Sequence, residues 1–291
     1  MYADLHLHTV FSDGSFTPEH VVALGHQHGL AALALTDHDT VDGCPRMTVA
    51  CLAAGVEFIA GAELTAEHAG QEVHLLGYCL DTQNERLLRE IAHFQAVRQA
   101  RIREMVARLN RLNIPLTTED VFAVANCNSP GRPHVARALL NGGHCASLDE
   151  AFERFLKKHR PAWVPKFKMS AARAIELIHH AGGLAVMAHP GLNRSDDLIP
   201  LLARAGLDGL ECFHTRHSTS QMQQYLQIAE RLGLLVTGGS DCHGDSRGKP
   251  LIGTVKLPYE YVHRLKQLAA RRRATLTHPV PEPAPPPAPP A

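Results

Sequence analysis

The stretch MYADLHLHTVFSDG, residues 1–14, alternates Leu5, His6, Leu7 and His8. A β-strand points successive side chains to opposite faces, so the two imidazoles share one face. Ser12, Asp13 and Gly14 then mark a turn, and Asp13 becomes a third donor just beyond the strand. Two imidazoles and a carboxylate are borderline and hard donors that suit a divalent metal without any thiolate. A His-x-His pair is also common on an ordinary polar face. How often the pattern recurs along the chain decides between the two readings.

Short apolar runs alternate with helical periodicity, which predicts βα units and a mainly parallel sheet. Strands are expected near residues 2–8, 31–36, 56–62, 72–79, 184–188, 207–212 and 234–239. Helices are expected at Thr17–His28, Asp42–Ala54, Ser170–Ala181, Asp196–Ala205, Thr219–Leu232 and Pro258–Arg272. Gly29, Gly55, Gly182, Gly206 and Gly233 each precede a strand, where a helix commonly stops in a left-handed residue. Seven strands, most followed by a helix, predict an α/β barrel one unit short of eight, a (β/α)₇ barrel. An open doubly wound sheet is the alternative.

Residues 82–168 break this rhythm. A long amphipathic helix is predicted over Asn84–Leu112, then shorter ones at Glu119–Ala125, Pro133–Leu140 and Leu148–Lys158. We read this segment as a helical insertion covering the barrel mouth, between barrel parts 1–81 and 169–276. Residues 277–291 hold 8 of the 19 prolines and are expected to be a disordered tail.

Composition bounds the rest. No apolar run nears the roughly 20 residues of a membrane span, and Asp4 and His6 interrupt any signal-peptide pattern. Seven scattered cysteines without a C-x-x-C pair suggest reduced thiols and a cytoplasmic setting. Net charge is zero, but residues 84–168 hold 15 Lys/Arg against 8 Asp/Glu, and the remainder 14 against 21. A basic segment beside an acidic, His-rich body suggests an anionic ligand meeting bound cations.

The donor residues fall at the expected strand ends. His6, His8 and Asp13 follow strand one, His38 strand two and Glu63 strand three. Strand four carries His74, His189 follows strand five, and Asp241 and His243 follow strand seven. A parallel barrel gathers its C-terminal strand ends on one face, where active sites form. Scattered surface histidines would not choose that end.

The motifs DLHLHTVFSDG, LTDHDT, GAEL, VHLLGY, MAHP and GSDCH resemble the PHP (polymerase and histidinol phosphatase) superfamily over Met1 to about Leu257. DHDT, and Gly131-Arg132-Pro133-His134 in the insertion, resemble the members that remove the 3′-phosphate of nucleoside 3′,5′-bisphosphates. Some relatives of those are 5′→3′ exoribonucleases on short 5′-phosphorylated RNA. The resemblance implies a distorted (β/α)₇ barrel and two or three divalent ions, Mn²⁺ first, with Zn²⁺ or Fe²⁺ as alternatives. It would give one ion His6, His8, Glu63 and Asp241, and a second Glu63, His74 and His189. A third would take Asp13, His38 and His243. Some relatives have His where this chain has Asp13, which hardens the third site.

Adjacent ions clamp a phosphate and lower the pKa of a bound water, so a metal-bound hydroxide would serve as nucleophile with no protein nucleophile. Asp4, Asp37 and Asp39 neighbour the ligands and are candidates to orient imidazoles, or else plain turn carboxylates. Arg132, His134 and Arg194 are the candidate substrate contacts, Arg132 for its planar grip on phosphate. The expected partner is a nucleotide or short RNA, with neither duplex nucleic acid nor membrane. The alternatives are a histidinol-phosphate or other sugar-phosphate phosphatase, and a non-catalytic metal-binding accessory domain. The complete donor set argues against the last.

Overall fold

The computed structural model describes residues 1–193, 196–245 and 248–277. Arg194 and the proline-rich stretch from residue 278 lie outside them. Among the described residues the strands are β1 (Tyr2–Asp4), β2 (Leu30–Leu35), β3 (Glu57–His68), β4 (Gln71–Tyr78) and β5 (Met169–Ser170). The rest are β6 (Leu184–Met187), β7 (Gly209–His214), β8 (Leu235–Gly239) and β9 (Leu257–Pro258). The helices are α1 (Pro18–Gln27), α2 (Cys44–Ala54), α3 (Glu85–Arg111), α4 (Thr118–Ala125), α5 (Arg132–Asn141) and α6 (Leu148–Ala151). They continue with α7 (Ala171–His180), α8 (Pro190–Asn193), α9 (Leu198–Arg204), α10 (Thr219–Leu232) and α11 (Tyr259–Thr277). No helix among these residues is long and apolar enough to cross a membrane.

The strands form one mixed sheet in the order β8-β7-β6-β4-β3-β2-β1-β9, with β5 against β3. The chain just after β1 closes the sheet into a nearly complete barrel. Leu5 N–H donates to Gly238 O, Asp241 N–H to His6 O, and His8 N–H to Cys242 O, at 3.1, 2.9 and 3.0 Å. Gly239 permits this approach, since a Cβ there would lie 2.3 Å from His6 N. Expectation and structure differ at β4. It runs antiparallel to both β3 and β6, because β3 continues past Glu63 and turns back at Ala69-Gly70. His74 therefore lies within a strand, paired with Thr65, and the hairpin brings it to the mouth.

The helix stops are as expected, with φ between 66° and 100° at Gly29, Gly55, Gly182, Gly206 and Gly233. Apolar side chains form three clusters. The largest packs the sheet against its surrounding helices, including Leu33, Leu35, Met47, Leu75, Ile178 and Leu210. A second joins Leu5, Ala34, Tyr78 and Val186 to Val262, Leu265 and Ala269, so α11 packs on the strands. The third lies wholly within the inserted helices, among Ile102, Met105, Leu109, Leu139, Phe155 and Leu156. Here α6 passes into a π-helical turn at Phe152–Leu156, where the periodicity predicts one longer helix. Such turns are rare and occur mostly as single-turn bulges within an α-helix.

Candidate metal centre

Glu63 sits at the middle of the site with 1% exposure, between the buried apolar Ala62 and Leu64 of β3. Its Oε2 lies 3.3 Å from His6 Nε2, 3.2 Å from His8 Nε2 and 3.2 Å from His38 Nδ1. Its Oε1 lies 2.5 Å from His74 Nδ1 and 3.3 Å from His189 Nε2. Asp241 Oδ1 closes the first side, 3.2 Å from His8 Nε2 and 3.5 Å from His6 Nε2. On the far side of the His8 ring, Asp13 Oδ1 lies 3.2 Å from His243 Nε2 and 3.8 Å from His38 Nε2. The structure thus brings all nine sequence-predicted donors to one place. Among the described residues, donors close enough to share an ion form the sets His6–His8–Asp241, His38–Glu63–His74, His8–Asp13–His38–His243 and His6–Glu211–His214.

The electrostatics fit cations at this place. Burial alone would push Glu63 up, but the His38, His74 and His6 rings around it hold its carboxyl well below the usual range. Burial likewise works against charge on His6, yet Glu211, Asp241 and Glu63 raise it well above an ordinary imidazole. Burial wins at His38, which is pushed down. His8 and His38 keep buried ring nitrogens without a hydrogen bond, although His8 rings pack 4.1 and 4.7 Å from those of His243 and His38. Nitrogens stacked this closely cannot all find protein acceptors, and divalent ions are what such a donor set accommodates. The thiols stay out of it: burial pushes Cys44 up to about 12, and Cys242 also rises.

The aspartates beside the ligands do other work than orienting rings. Asp37 clamps the first loop, accepting from Thr9 N–H, Thr9 Oγ1 and Ser12 Oγ at 2.7, 2.5 and 2.6 Å. Asp4 accepts from the backbone of Ser240 at 2.8 Å and of His6 at 3.4 Å. Asp39 pairs with Arg98 and Thr65 N–H. The imidazole-orienting carboxylate is one that sequence reading missed, Glu211 on β7, which lies 2.9 Å from His6 Nδ1. The signal was present in LECFH: a carboxylate inside a run otherwise reading as buried strand needs a partner.

A cavity of about 770 Å³ opens beside Asp13, His38 and His74. The insertion supplies its other walls, where Arg98, Arg101, Arg132, Arg137 and Lys166 contribute cations. Arg132 opens α5, with Nη1 donating to Leu156 O at 3.3 Å and its guanidinium over Phe152. Burial lowers Arg101 to about 9, helped by neighbouring Arg132 and Arg98, and lowers Lys166 to about 8. Glu72 and Asp149 line the same cavity beside Asp13, so its wall carries both signs of charge. His134 caps α5, its Nδ1 accepting the Gly131 N–H at 2.9 Å, and its ring lies near Asp13 and the Ser12 backbone.

The PHP domain family matches residues 4–162. The 5′-3′ exoribonuclease Rnm of Salmonella typhimurium is 32% identical over 250 residues, covering 82% of this chain and 84% of its own. The 3′,5′-nucleoside bisphosphate phosphatase of Chromobacterium violaceum is 32% identical over 264 residues, 88% and 92% of the two chains. A solved structure described as a metal-dependent phosphoesterase, from Bifidobacterium adolescentis, superposes with a TM-score of 0.84 at 35% identity. It covers 90% of this chain and 94% of that one.

Proposed function

The chain belongs to the PHP domain family, and from that premise we propose that it removes the 3′-phosphate of nucleoside 3′,5′-bisphosphates, leaving nucleoside 5′-monophosphates. The observation that carries the reading is the cation-lined cavity adjoining the donor cluster. A substrate with one phosphate needs only the cluster, whereas Arg101, Arg132, Arg137 and Lys166 offer a place for a second anion. The same arrangement would accept the 5′ end of a short RNA, an activity in keeping with the exoribonuclease relative.

His6, His8, Glu63 and Asp241 would hold one divalent ion, Glu63, His74 and His189 a second, and Asp13, His38 and His243 a third. Bound there, such ions supply Lewis acidity to a phosphoryl oxygen and acidify a coordinated water. Mn²⁺ is the metal we propose first, with Fe²⁺ and Zn²⁺ as alternatives that an all-His/Asp/Glu set suits equally. The chain's own residues do the remaining work. Glu63 joins two sites through its two oxygens. Asp37 fixes the loop that carries His8 and Asp13. Arg132 and Arg101 hold the phosphate that is not cut, and the inserted helices limit water around the one that is.

Phosphate release after metal stripping and re-addition tests the reading. The panel comprises adenosine 3′,5′-bisphosphate, histidinol phosphate and a 5′-phosphorylated trinucleotide. Preference for histidinol phosphate over the bisphosphate would overturn the substrate assignment.

A further inference from the structure

Strand β7 contributes none of the nine proposed ligands, yet its end presses two buried side chains, Glu211 and His214, against three of them. Glu211 is fully enclosed. Its Oε1 lies 2.9 Å from His6 Nδ1, and its Oε2 accepts the His189 backbone N–H at 2.7 Å. An imidazole that donates through Nδ1 keeps its Nε2 lone pair for another partner. The His6 Nε2 points at the cluster, 3.3 Å from Glu63 Oε2 and 3.5 Å from Asp241 Oδ1.

His214 shows the opposite arrangement. Its Nδ1 accepts the Arg216 N–H at 3.1 Å, so the proton of the neutral ring belongs on Nε2. That nitrogen is buried without a hydrogen bond and lies 3.7 Å from Asp241 Oδ2, its nearest carboxylate oxygen across the cluster. The backbones being supported are unusual ones. His189 and Asp241 have φ of +29° and +54°, conformations that side-chain-bearing residues keep only when their surroundings hold them. One strand therefore reaches ligands of three others: His6 after β1, His189 after β6 and Asp241 after β8.

We infer that Glu211 and His214 are positioning residues of the metal centre. Glu211 fixes the donor face of His6 and the backbone of His189, and His214 aims Asp241. This rests on the metal reading above and is independent of the substrate. Glutamine is nearly isosteric with glutamate but cannot repeat the pattern. Both Glu211 oxygens accept from N–H groups, whereas the amide has only one accepting oxygen. Glu211→Gln must either leave the His189 N–H facing an NH₂ or turn the His6 proton to Nε2, which removes the ligand lone pair.

The test is Mn²⁺ uptake by the metal-free full-length chain, read as free Mn²⁺ by electron paramagnetic resonance in a titration without substrate. Glu211→Gln is expected to lower apparent affinity about ten- to a hundredfold, the usual cost of losing a partner behind a metal ligand. At saturating Mn²⁺ its kcat should return toward wild type with KM unchanged, which general loosening of the fold would not produce. His214→Phe keeps the ring volume and removes the N–H, so it should weaken uptake as well; it tests His214 alone, and Glu211→Asp, which shortens the reach to His6, replaces Glu211→Gln if that variant does not fold. Wild-type affinity in either folded variant overturns that residue's assignment. A wild-type chain that takes up no Mn²⁺, Zn²⁺ or Fe²⁺ would instead overturn the metal reading itself.

Discussion

Arg98, on the long inserted helix α3, closes on Asp39 Oδ2 through Nε at 2.8 Å and Nη2 at 2.5 Å, both side chains being buried. The other Asp39 oxygen accepts the Thr65 N–H at 3.1 Å. A single carboxylate thus ties the insertion to the loop that carries His38 and to the strand that carries Glu63. Asp39 has φ of +49°, which asparagine tolerates as well as aspartate. Asp39→Asn should therefore keep the backbone and remove only the charge. Breaking one side of a buried pair costs about 3–5 kcal/mol, because the remaining charge is left without compensation. Urea unfolding of the metal-free chain should show that loss for Asp39→Asn, and a smaller one for Asp39→Asn combined with Arg98→Met. A double variant as unstable as the single losses added together would show that the two groups act independently.

Glu63 faces five imidazoles, so its loss should reach further than loss of any one of them. Glu63→Gln is expected to lower bound metal by more than one ion per chain and to abolish phosphate release. His74→Ala, at the rim with 18% exposure, should weaken metal retention and leave measurable activity. Elemental analysis of the purified chains beside their turnover checks both. Equal metal content in Glu63→Gln and wild type would remove the bridging role.

Away from the mouth, Asp208 fastens α11 and α7 to the sheet. It accepts from Arg272 Nη1 and Nη2 at 2.8 and 2.7 Å, from His179 Nε2 at 2.8 Å and from Ala185 N–H at 2.8 Å. Burial raises its carboxyl, but the His179 and Arg272 contacts and the Ala185 amide outweigh burial and leave it depressed. A depressed carboxyl stabilises the fold above its unfolded pKa of about 3.9 and loses that contribution as pH falls toward the folded value. Asp208→Asn should cost about 2 kcal/mol at pH 7. Its penalty should shrink steadily below about pH 4. Denaturant midpoints at pH 7, 5 and 3 decide this, and a penalty independent of pH would refute it.

Much of the centre was legible because its signals are local. LHLH, GAEL and GSDCH each place a donor at the end of an apolar run, and alternation alone assigns its face. Strand direction was not legible in the same way, since VHLLGY alternates identically when read either way. The informative residues were Ala69 and Gly70, two turn residues between runs that read better as one long hairpin than as two separated strands. Glu211 was missed because LDGLEC counts as core by its apolar neighbours, and the partner that makes a buried carboxylate tolerable lies 205 positions away. For Asp37 and Asp39 the sequence left two roles open, orienting imidazoles or holding turns, because their partners Thr9, Ser12, Thr65 and Arg98 are not adjacent in the chain.

Which phosphate is cut follows from which one the insertion holds. A nucleoside bisphosphate presents two anions, and only the one over the donor cluster can react. Arg132 and Arg101 belong to the inserted helices and line the same cavity as His38 and His74. If they hold the 5′-phosphate, the 3′-phosphate is left at the cluster and the product is the nucleoside 5′-monophosphate. A 5′-phosphorylated RNA held in the same way places its first internucleotide bond there and is shortened one 5′-mononucleotide at a time. Arg132→Ala then removes a charged hydrogen bond worth about 1.5–3 kcal/mol, raising KM for the bisphosphate roughly ten- to a hundredfold. A generic aryl phosphate, with nothing for Arg132 to hold, should be affected much less, and a nucleoside 3′-monophosphate should be a poor substrate for the wild-type chain. Chromatography of the products, with KM for both substrates in wild type and Arg132→Ala, reads all of this directly. Release of nucleoside 3′-monophosphate would reverse the polarity, and an equal loss on aryl phosphate would move Arg132 from the held phosphate to the reacting one.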